Sequence, residues 1–224
     1  MPEQIKKILD TWNPIGLTLI SPDEYLPVAE HIADSINEHF TPHSVCIVLK
    51  RAFSIYGVNF RKSNDECMAI AEKVGVGAVV FYYLSNNRMR DINFMLEDAL
   101  SFDGNTGPYA QYTYARCSSL LEKAGAGAYR CHMESATEEE VALARVLALF
   151  PEKIQGALSE SEPSVVTRYI LELCAAFNRF SHDCQILSAE DEAVKENRLA
   201  LTQAVKTVLG TALHLICMPT PNKI

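Results

Sequence analysis

The sequence lacks any apolar run of about 18 residues, the length that a helix needs to cross a membrane. It also lacks the apolar core of a signal peptide, because its first residues are polar and include Lys6 and Lys7. Hydrophobic residues make up 48% of the chain and charged residues 21%, as in ordinary soluble domains. We therefore expect a protein that stays in the cytoplasm and has no membrane partner.

Paired or clustered cysteines are also missing. The chain has seven cysteines, an odd number, and none forms a C-x-x-C pair. This spacing predicts free thiols in a reducing compartment, with no metal site and no other cofactor. His132 beside Cys131, and His182 near Cys184, are poor nucleophile pairs, because helix neighbours one or two positions apart do not face each other.

A surplus of positive charge is absent as well. Twenty Lys and Arg residues stand against 28 Asp and Glu residues, for a net charge of −8. Proteins that bind nucleic acid without sequence preference usually carry the opposite balance, because their cations displace counterions from the phosphates. Any RNA binding by this chain must therefore depend on local patches and on shape.

The apolar spacing predicts an almost entirely α-helical protein in three regions, with at most a short β hairpin in the middle one. Residues 1–60 are predicted as a small helical domain, residues 61–112 as a connecting segment, and residues 113–224 as a helical bundle. The predicted helices from the connector onward are 66–84, 113–123, 137–150, 151–160, 164–184 and a last one after Asp191, with a helical turn at 97–102.

Local signals define several of these ends. Thr137 with Glu140 three residues later is typical of a capping box, which marks a helix start. Gly125 follows the predicted helix 113–123, at the position where glycine commonly ends a helix. The Gly-Asn-Thr-Gly-Pro run at 104–108 predicts a tight turn, since Gly and Asn tolerate positive φ.

Several motifs occur together in the second and third regions. They are AIAEKVGVGA at 69–78, LSNNR at 84–88, FDGNTGPY at 102–109, QY at 111–112, AR at 115–116, FP at 150–151, FNRF at 177–180 and NRL at 197–199. In this order and at these intervals they resemble the C-terminal, DALR-type anticodon-binding region of arginyl-tRNA synthetases. Residues 12–17 and 23–25 resemble a small bacterial helical family of unknown function.

The resemblance implies an all-α anticodon-binding bundle and a tRNA partner, specifically an arginine tRNA. In that family a catalytic Rossmann domain precedes this region and carries a His-Ile-Gly-His-like site and a Lys-Met-Ser-Lys-Ser-like loop. Neither motif is in this sequence: His39 and His43 are separated by Pro42, and no glycine lies between them. We therefore expect no aminoacylation by the chain alone, because it lacks the groups that stabilise adenylate formation.

The candidate tRNA-binding residues are aromatic, amide and basic side chains within or near the shared motifs: Tyr109, Gln111, Tyr112, Arg116, Asn178, Arg179, His182 and Arg88. Aromatic rings can stack on unpaired bases, and arginine can pair with phosphate. The alternative is structural. Tyr109 and Tyr112 would then pack the domain junction, Gln111 would satisfy backbone groups, Arg88 would belong to an ordinary turn, and His182 would lie on a solvated helix face.

The chain departs from the family pattern at several positions. Met95 and Leu96 replace an acidic residue followed by Trp, Ala110 replaces Leu, and Ser181 replaces the Tyr that usually follows Phe-Asn-Arg-Phe. The tail at 217–224 lacks the usual Gly-Ile before Pro and the terminal Met. The change at Ser181 and the altered tail bear on anticodon contact.

Three functions remain open from the sequence. The chain is a tRNA-binding protein without catalytic activity, or a fragment or subunit of an arginine–tRNA ligase completed by a separate catalytic domain. Alternatively it is a protein-interaction or regulatory module that has lost RNA binding. Exposed apolar area around Met95 and Leu96 would favour the second. A continuous positive strip across Arg116, Arg168 and Arg179 would argue against the third.

Overall fold

A computed structural model describes residues 64–101, 104–125, 127, 129–131, 136–189 and 191–222. Within these ranges the chain forms seven α-helices and no strand. They are α1 Asn64–Leu84, α2 Leu96–Leu100, α3 Gly107–Ala124, α4 Glu138–Ala148, α5 Phe150–Glu160, α6 Ser164–Asp183 and α7 Glu192–Leu215. The predicted all-α class is confirmed, and the helices predicted for residues 1–60 lie outside the described part.

The chain divides into two compact units, Met1–Glu72 and Lys73–Ile224. The second unit holds the end of α1 and all of α2 to α7. The division at residues 60 and 112 stays a prediction, and α3 runs through position 112 without a break. Among the described helices, none is both long and apolar enough to span a membrane.

The core of the second unit forms around α6, which packs against α3, α4, α5 and α7. Ile170, Leu173, Phe177 and Phe180 have no exposed surface. They recur every three or four residues, so they form one stripe that faces the neighbouring helices. The buried stripe predicted from the sequence thus becomes the centre of the bundle, and the remaining faces of α6 are left for polar residues.

Helix ends follow local chemistry. Thr137 and Glu140 form the predicted capping box at the start of α4. Gly125 follows α3 with φ of 88°, a conformation that glycine adopts without strain. The prediction that the helix starts at residue 113 was wrong: α3 begins at Gly107, with Thr106 as its cap. Proline at the first positions of a helix loses no hydrogen bond, so Pro108 starts α3 instead of preceding it.

The helices α1 and α3 touch through their backbones at Gly77 and Gly107. A Cβ atom on Gly107 would lie 2.6 Å from the Gly77 carbonyl oxygen, and one on Gly77 would lie 2.5 Å from Nε2 of Gln111. A side chain at position 107 would therefore meet backbone that cannot give way, whereas one at position 77 would displace the Gln111 side chain. The two glycines therefore fix where α3 begins, and with it the position of the side chains one turn further on.

Candidate nucleic-acid interface

Three of the candidate residues share one face of α3. Tyr109, Tyr112 and Arg116 are spaced i, i+3 and i+7, so they project from the same side of the helix. All three are half-buried, while Ala110, Thr113 and Cys117 on the adjoining side of the helix are buried. α3 therefore presents two aromatic rings and a guanidinium at the surface of the bundle.

Asn178 of α6 connects two of these side chains. Its Nδ2 donates to the Tyr109 hydroxyl oxygen at 2.8 Å, and Nη1 of Arg116 donates to its Oδ1 at 3.3 Å. His182 follows Asn178 one turn later on α6. We call Tyr109, Tyr112, Arg116, Asn178 and His182 the α3/α6 face.

The Tyr109 hydroxyl is a neutral donor at this surface. Burial is the larger influence and raises the pKa of Tyr109 above its usual value, while the hydrogen bond from Asn178 opposes the shift. The oxygen accepts from Asn178, and the O–H proton has no acceptor among the described residues. That proton can be donated to a ligand.

Arg116 also keeps unused donors. A guanidinium carries five N–H groups, and among the described residues Arg116 makes a single side-chain hydrogen bond, to Asn178. That bond orients the planar group, which reduces the entropy lost when it pairs with an anion. The α3/α6 face can thus offer oriented donors and stacking surface together.

His182 differs from its neighbours on this face. Its side chain is 88% exposed, and its Nδ1 lies 2.8 Å from the carboxylate of Asp183. Exposed pairs of this kind contribute little to stability. His182 is accessible to a ligand, but the adjacent carboxylate reduces its attraction for phosphate.

Gln111 lies inside the bundle. Its side chain is fully buried, and its Nε2 donates to the carbonyl oxygens of Lys73 at 3.0 Å and Pro219 at 2.8 Å. Its Oε1 has no partner among the described residues. This geometry corresponds to the alternative in which Gln111 satisfies backbone groups, and it joins α1, α3 and the C-terminal segment.

Arg88 also binds backbone. Its Nη1 donates to the carbonyl oxygens of Glu160, at 3.1 Å, and Ser161, at the end of α5. Asn87 supports the same junction by donating from Nδ2 to Glu162 at 2.9 Å. A cation at a helix C-terminus is favoured by the helix dipole, so Arg88 is engaged in capping α5, away from the α3/α6 face.

Arg179 follows Asn178 on α6 but projects to a different side. It lines a groove between α4 and α6, together with Arg145, a residue that the sequence analysis missed. Arg145 is the one charged residue of α4 after the three glutamates of its first turn. This isolated charge was the available signal, although the sequence does not reveal which helix lies opposite.

The arginines do not form a continuous positive strip. Arg168 and Arg179 share a face of α6, because eleven residues correspond to about three turns, but Glu172 lies between them. Arg116 meets α6 at Asn178, on the adjacent side. The feature that would have argued against a protein-interaction or regulatory module is therefore absent among these three residues.

The described cysteines are free thiols. Burial raises the pKa of Cys174 to about 12 and raises the pKa of Cys117 further. Both remain protonated near neutral pH, so neither supplies a thiolate nucleophile. Within the described ranges no group of three or more potential ligands could hold a metal ion.

Comparisons with known proteins agree with this architecture. Residues 110–224 match the model of the family described as DALR anticodon binding domain. An arginine–tRNA ligase from Alkaliphilus metalliredigens is 46% identical over 158 residues, which cover 69% of this chain and 28% of that protein. Arginine–tRNA ligase 1 from Bacillus cereus is 33% identical over 232 residues, which cover 100% of this chain and 41% of that relative.

The fold is similar to that of solved synthetases. The arginyl-tRNA synthetase of Thermus thermophilus matches 94% of this chain with a TM-score of 0.69 and 30% identity, while the chain covers 34% of that structure. The chain thus spans less than half the length of these relatives. Since the family model covers just over half of its residues, this chain belongs to the DALR anticodon binding domain family.

Proposed function

We propose that this chain binds tRNA through the α3/α6 face, with an arginine tRNA as its preferred partner, and that it does not aminoacylate alone. The hydrogen-bond network that joins Tyr109, Asn178 and Arg116 is the observation that carries the proposal. It holds three of the candidate side chains together at the surface of a DALR bundle. The tRNA ligase relatives supply the class of ligand.

The chemistry of the face suits the unpaired bases of an RNA loop. The rings of Tyr109 and Tyr112 offer surfaces for stacking, which is tolerant of base identity. Arg116 can pair with a backbone phosphate through donors that Asn178 leaves free. Gln111 and Arg88 act indirectly, since their side-chain donors already bind backbone carbonyls.

A binding titration tests this function. Purified protein is titrated against labelled arginine tRNA and an unrelated tRNA at two salt concentrations. We expect salt-sensitive binding that favours the arginine tRNA. Asn178→Ala and Arg116→Ala should each weaken that binding roughly tenfold, because about 1.4 kcal/mol of contact is lost.

Arg90→Ala is the matched control for the loss of a positive charge. Arg90 is exposed, and its side chain makes no hydrogen bond or ion pair with the described residues. Its removal should change affinity less than twofold. Absence of tRNA binding, or an equal loss in Arg90→Ala and Arg116→Ala, would refute the assignment to the α3/α6 face, and absence of binding would also favour a protein-interaction module.

A specific observation favours a second candidate, in which a separate catalytic domain completes an arginine–tRNA ligase. Val76, Val79 and Tyr83 share one face of α1 and are 48%, 41% and 47% exposed. Met95 is 49% exposed, and Phe94 stacks on Tyr83 with ring centroids 5.7 Å apart. Contiguous apolar exposure of this kind is typical of interaction surfaces.

Reconstitution tests the second candidate. The chain is mixed with an arginyl-tRNA synthetase catalytic domain that lacks its own anticodon-binding region, and arginylation of tRNA is measured. We expect activity above that of the catalytic domain alone. Val79→Asp should remove the gain by placing a charge in the contact, whereas Arg90→Ala should preserve it. No gain with the unmodified chain would count against this candidate.

A further inference from the structure

A groove lies between α4 and α6. Two adjoining cavities of about 510 and 260 Å³ share Ala142 of α4 and Arg179 of α6. The volume of the larger cavity lies within the range of small-molecule sites. Ala175 and Ala176 contribute small side chains on the α6 side, so a planar or tetrahedral group can approach the helix backbones closely.

Two guanidiniums face this groove. Arg145 comes from α4 and Arg179 from α6, and both line the larger cavity. Both residues are exposed, and neither side chain makes a hydrogen bond or an ion pair with any described residue. By contrast, Arg88, Arg116 and Arg198 are each bonded to protein oxygens. These two arginines therefore keep their full donor capacity.

Carboxylates limit which anions can bind there. Glu138 and Glu139 line the larger cavity and Glu172 lines the smaller one, yet none lies within 4.0 Å of either guanidinium. They lower the affinity for a free anion. A phosphate that is delivered as part of a larger ligand, already held elsewhere, overcomes this cost through effective concentration.

The groove adjoins the α3/α6 face. Arg179 directly follows Asn178, so their side chains leave α6 about 100° apart at the same height. An RNA strand that stacks on Tyr109 and crosses α6 would reach Arg179 next and Arg145 after it. Two guanidiniums from different helices can bracket one phosphate, and arginine matches phosphate geometry with paired donors.

We infer that Arg145 and Arg179 bind a backbone phosphate of the tRNA, next to the nucleotides that contact the α3/α6 face. This inference rests on the proposed function. It adds Arg145 to the proposed tRNA interface. It also gives a role to Arg179, which takes no part in the hydrogen bonds of the α3/α6 face. The contact positions the strand and carries no base specificity, since phosphate contacts do not read sequence.

The salt dependence of tRNA binding tests the inference. Affinity for arginine tRNA is measured by titration at four or more salt concentrations for the unmodified chain, Arg145→Ala, Arg145→Lys and the control Arg90→Ala. We expect Arg145→Ala to weaken binding about fivefold and to reduce the slope of log K against log salt by about 1, the signature of one lost phosphate contact. Arg145→Lys should keep the slope, and Arg90→Ala should change neither.

Glu139→Gln is a second variant with the opposite expected sign. It removes a negative charge that lines both cavities, so binding should become about twofold to threefold tighter at low salt, with little change at high salt. Tightening in Glu139→Gln supports the phosphate contact even if Arg145→Ala were to fold poorly, which thermal melting would reveal.

The outcomes separate the two proposals. If Asn178→Ala weakens binding while Arg145→Ala matches Arg90→Ala in affinity and slope, the α3/α6 face stands and the phosphate contact is overturned. If the unmodified chain binds no tRNA, both the proposed tRNA-binding function and the phosphate contact are refuted. A loss in Arg145→Ala that is confined to one tRNA, with an unchanged slope, would indicate base recognition and would also overturn the phosphate assignment.

Discussion

Two polar networks join helices in the second unit, and they differ in burial. Glu140 is 2% exposed and accepts hydrogen bonds from Thr137 N at 3.0 Å and from Nε of Arg198 at 2.7 Å, which links α4 to α7. Asn178 is half-buried and links α6 to α3 through Tyr109 and Arg116. Each network contains an arginine, and each connects residues far apart in sequence.

The difference shows that a buried polar network uses its hydrogen-bonding groups within the protein, whereas a half-buried one keeps some donors for a ligand. Around Glu140 both carboxylate oxygens are occupied, and Arg198 also donates to the Gln185 carbonyl oxygen at 2.7 Å. Around Asn178 the donors of Arg116 and Tyr109 are partly unused. The Glu140 network therefore has few free hydrogen-bonding groups for a ligand. The side chains around Asn178 are oriented by their own hydrogen bonds and remain accessible to solvent.

The largest expected effect is on the buried network. Glu140→Ala leaves the guanidinium of Arg198 without its carboxylate and breaks the capping box of α4, so we expect a loss of about 3–5 kcal/mol in the free energy of unfolding. Urea denaturation measures it. Glu138→Ala is the control, because Glu138 is exposed in the same first turn and should cost under about 1 kcal/mol. Similar losses in both variants would contradict the comparison.

An intermediate effect concerns alkaline stability. Tyr169 is 1% exposed and donates to the Val146 carbonyl oxygen, and burial raises the pKa of its hydroxyl from 10.0 to about 12. The unfolded state therefore releases this proton first, so the stabilisation is present below pH 10 and is lost as the pH rises towards 12.

Tyr169→Phe removes that titration. Between pH 10 and 12 the unmodified chain should lose about 2 kcal/mol more than the variant, as seen from urea midpoints measured at successive pH values. Both proteins keep Cys117 and Cys174, whose titration is common to them. Tyr109→Phe is the half-buried counterpart and should change the pH dependence less. Parallel curves for Tyr169→Phe and the unmodified chain would refute the prediction.

The smallest expected effect on stability concerns the half-buried network around Asn178. Asn178→Ala removes hydrogen bonds at a half-buried position, so the free energy of unfolding should fall by about 1 kcal/mol. The same variant should lose tRNA affinity, whereas Glu138→Ala, which removes a carboxylate that lines the arginine groove, should not weaken tRNA binding. A destabilisation as large as that of Glu140→Ala would mean that the hydrogen bonds around Asn178 serve mainly to stabilise the fold, as those around Glu140 do.

Much of the fold could be predicted from local sequence. The capping box at Thr137 and Glu140, the glycine after α3, and the buried stripe of α6 depend on residues within a few positions of one another. The start of α3 was misjudged because a Gly-Pro pair is compatible both with a turn and with a first helical turn. Only packing against α1 at Gly77 distinguishes the two.

The candidate interface could be predicted only in part. Its residue types were identified, but partners distant in sequence decide their roles. Gln111 binds the Pro219 carbonyl 108 residues away, and Arg88 binds the end of α5, 72 residues away. Arg145 has significance only because Arg179 lies opposite it across a groove. The spacing of residues along the chain does not predict these contacts between distant residues.

The glycine contact between α1 and α3 also has a mechanical consequence. A Cβ atom on Gly107 would lie 2.6 Å from the Gly77 carbonyl oxygen and 2.9 Å from Phe81 Cβ, so no side chain fits between α1 and α3 at this point. Gly107 lies on the same helix as Tyr109, two positions before it. We therefore expect a shift of α3 on ligand binding at the α3/α6 face to move α1, which carries the exposed Val79 and Tyr83.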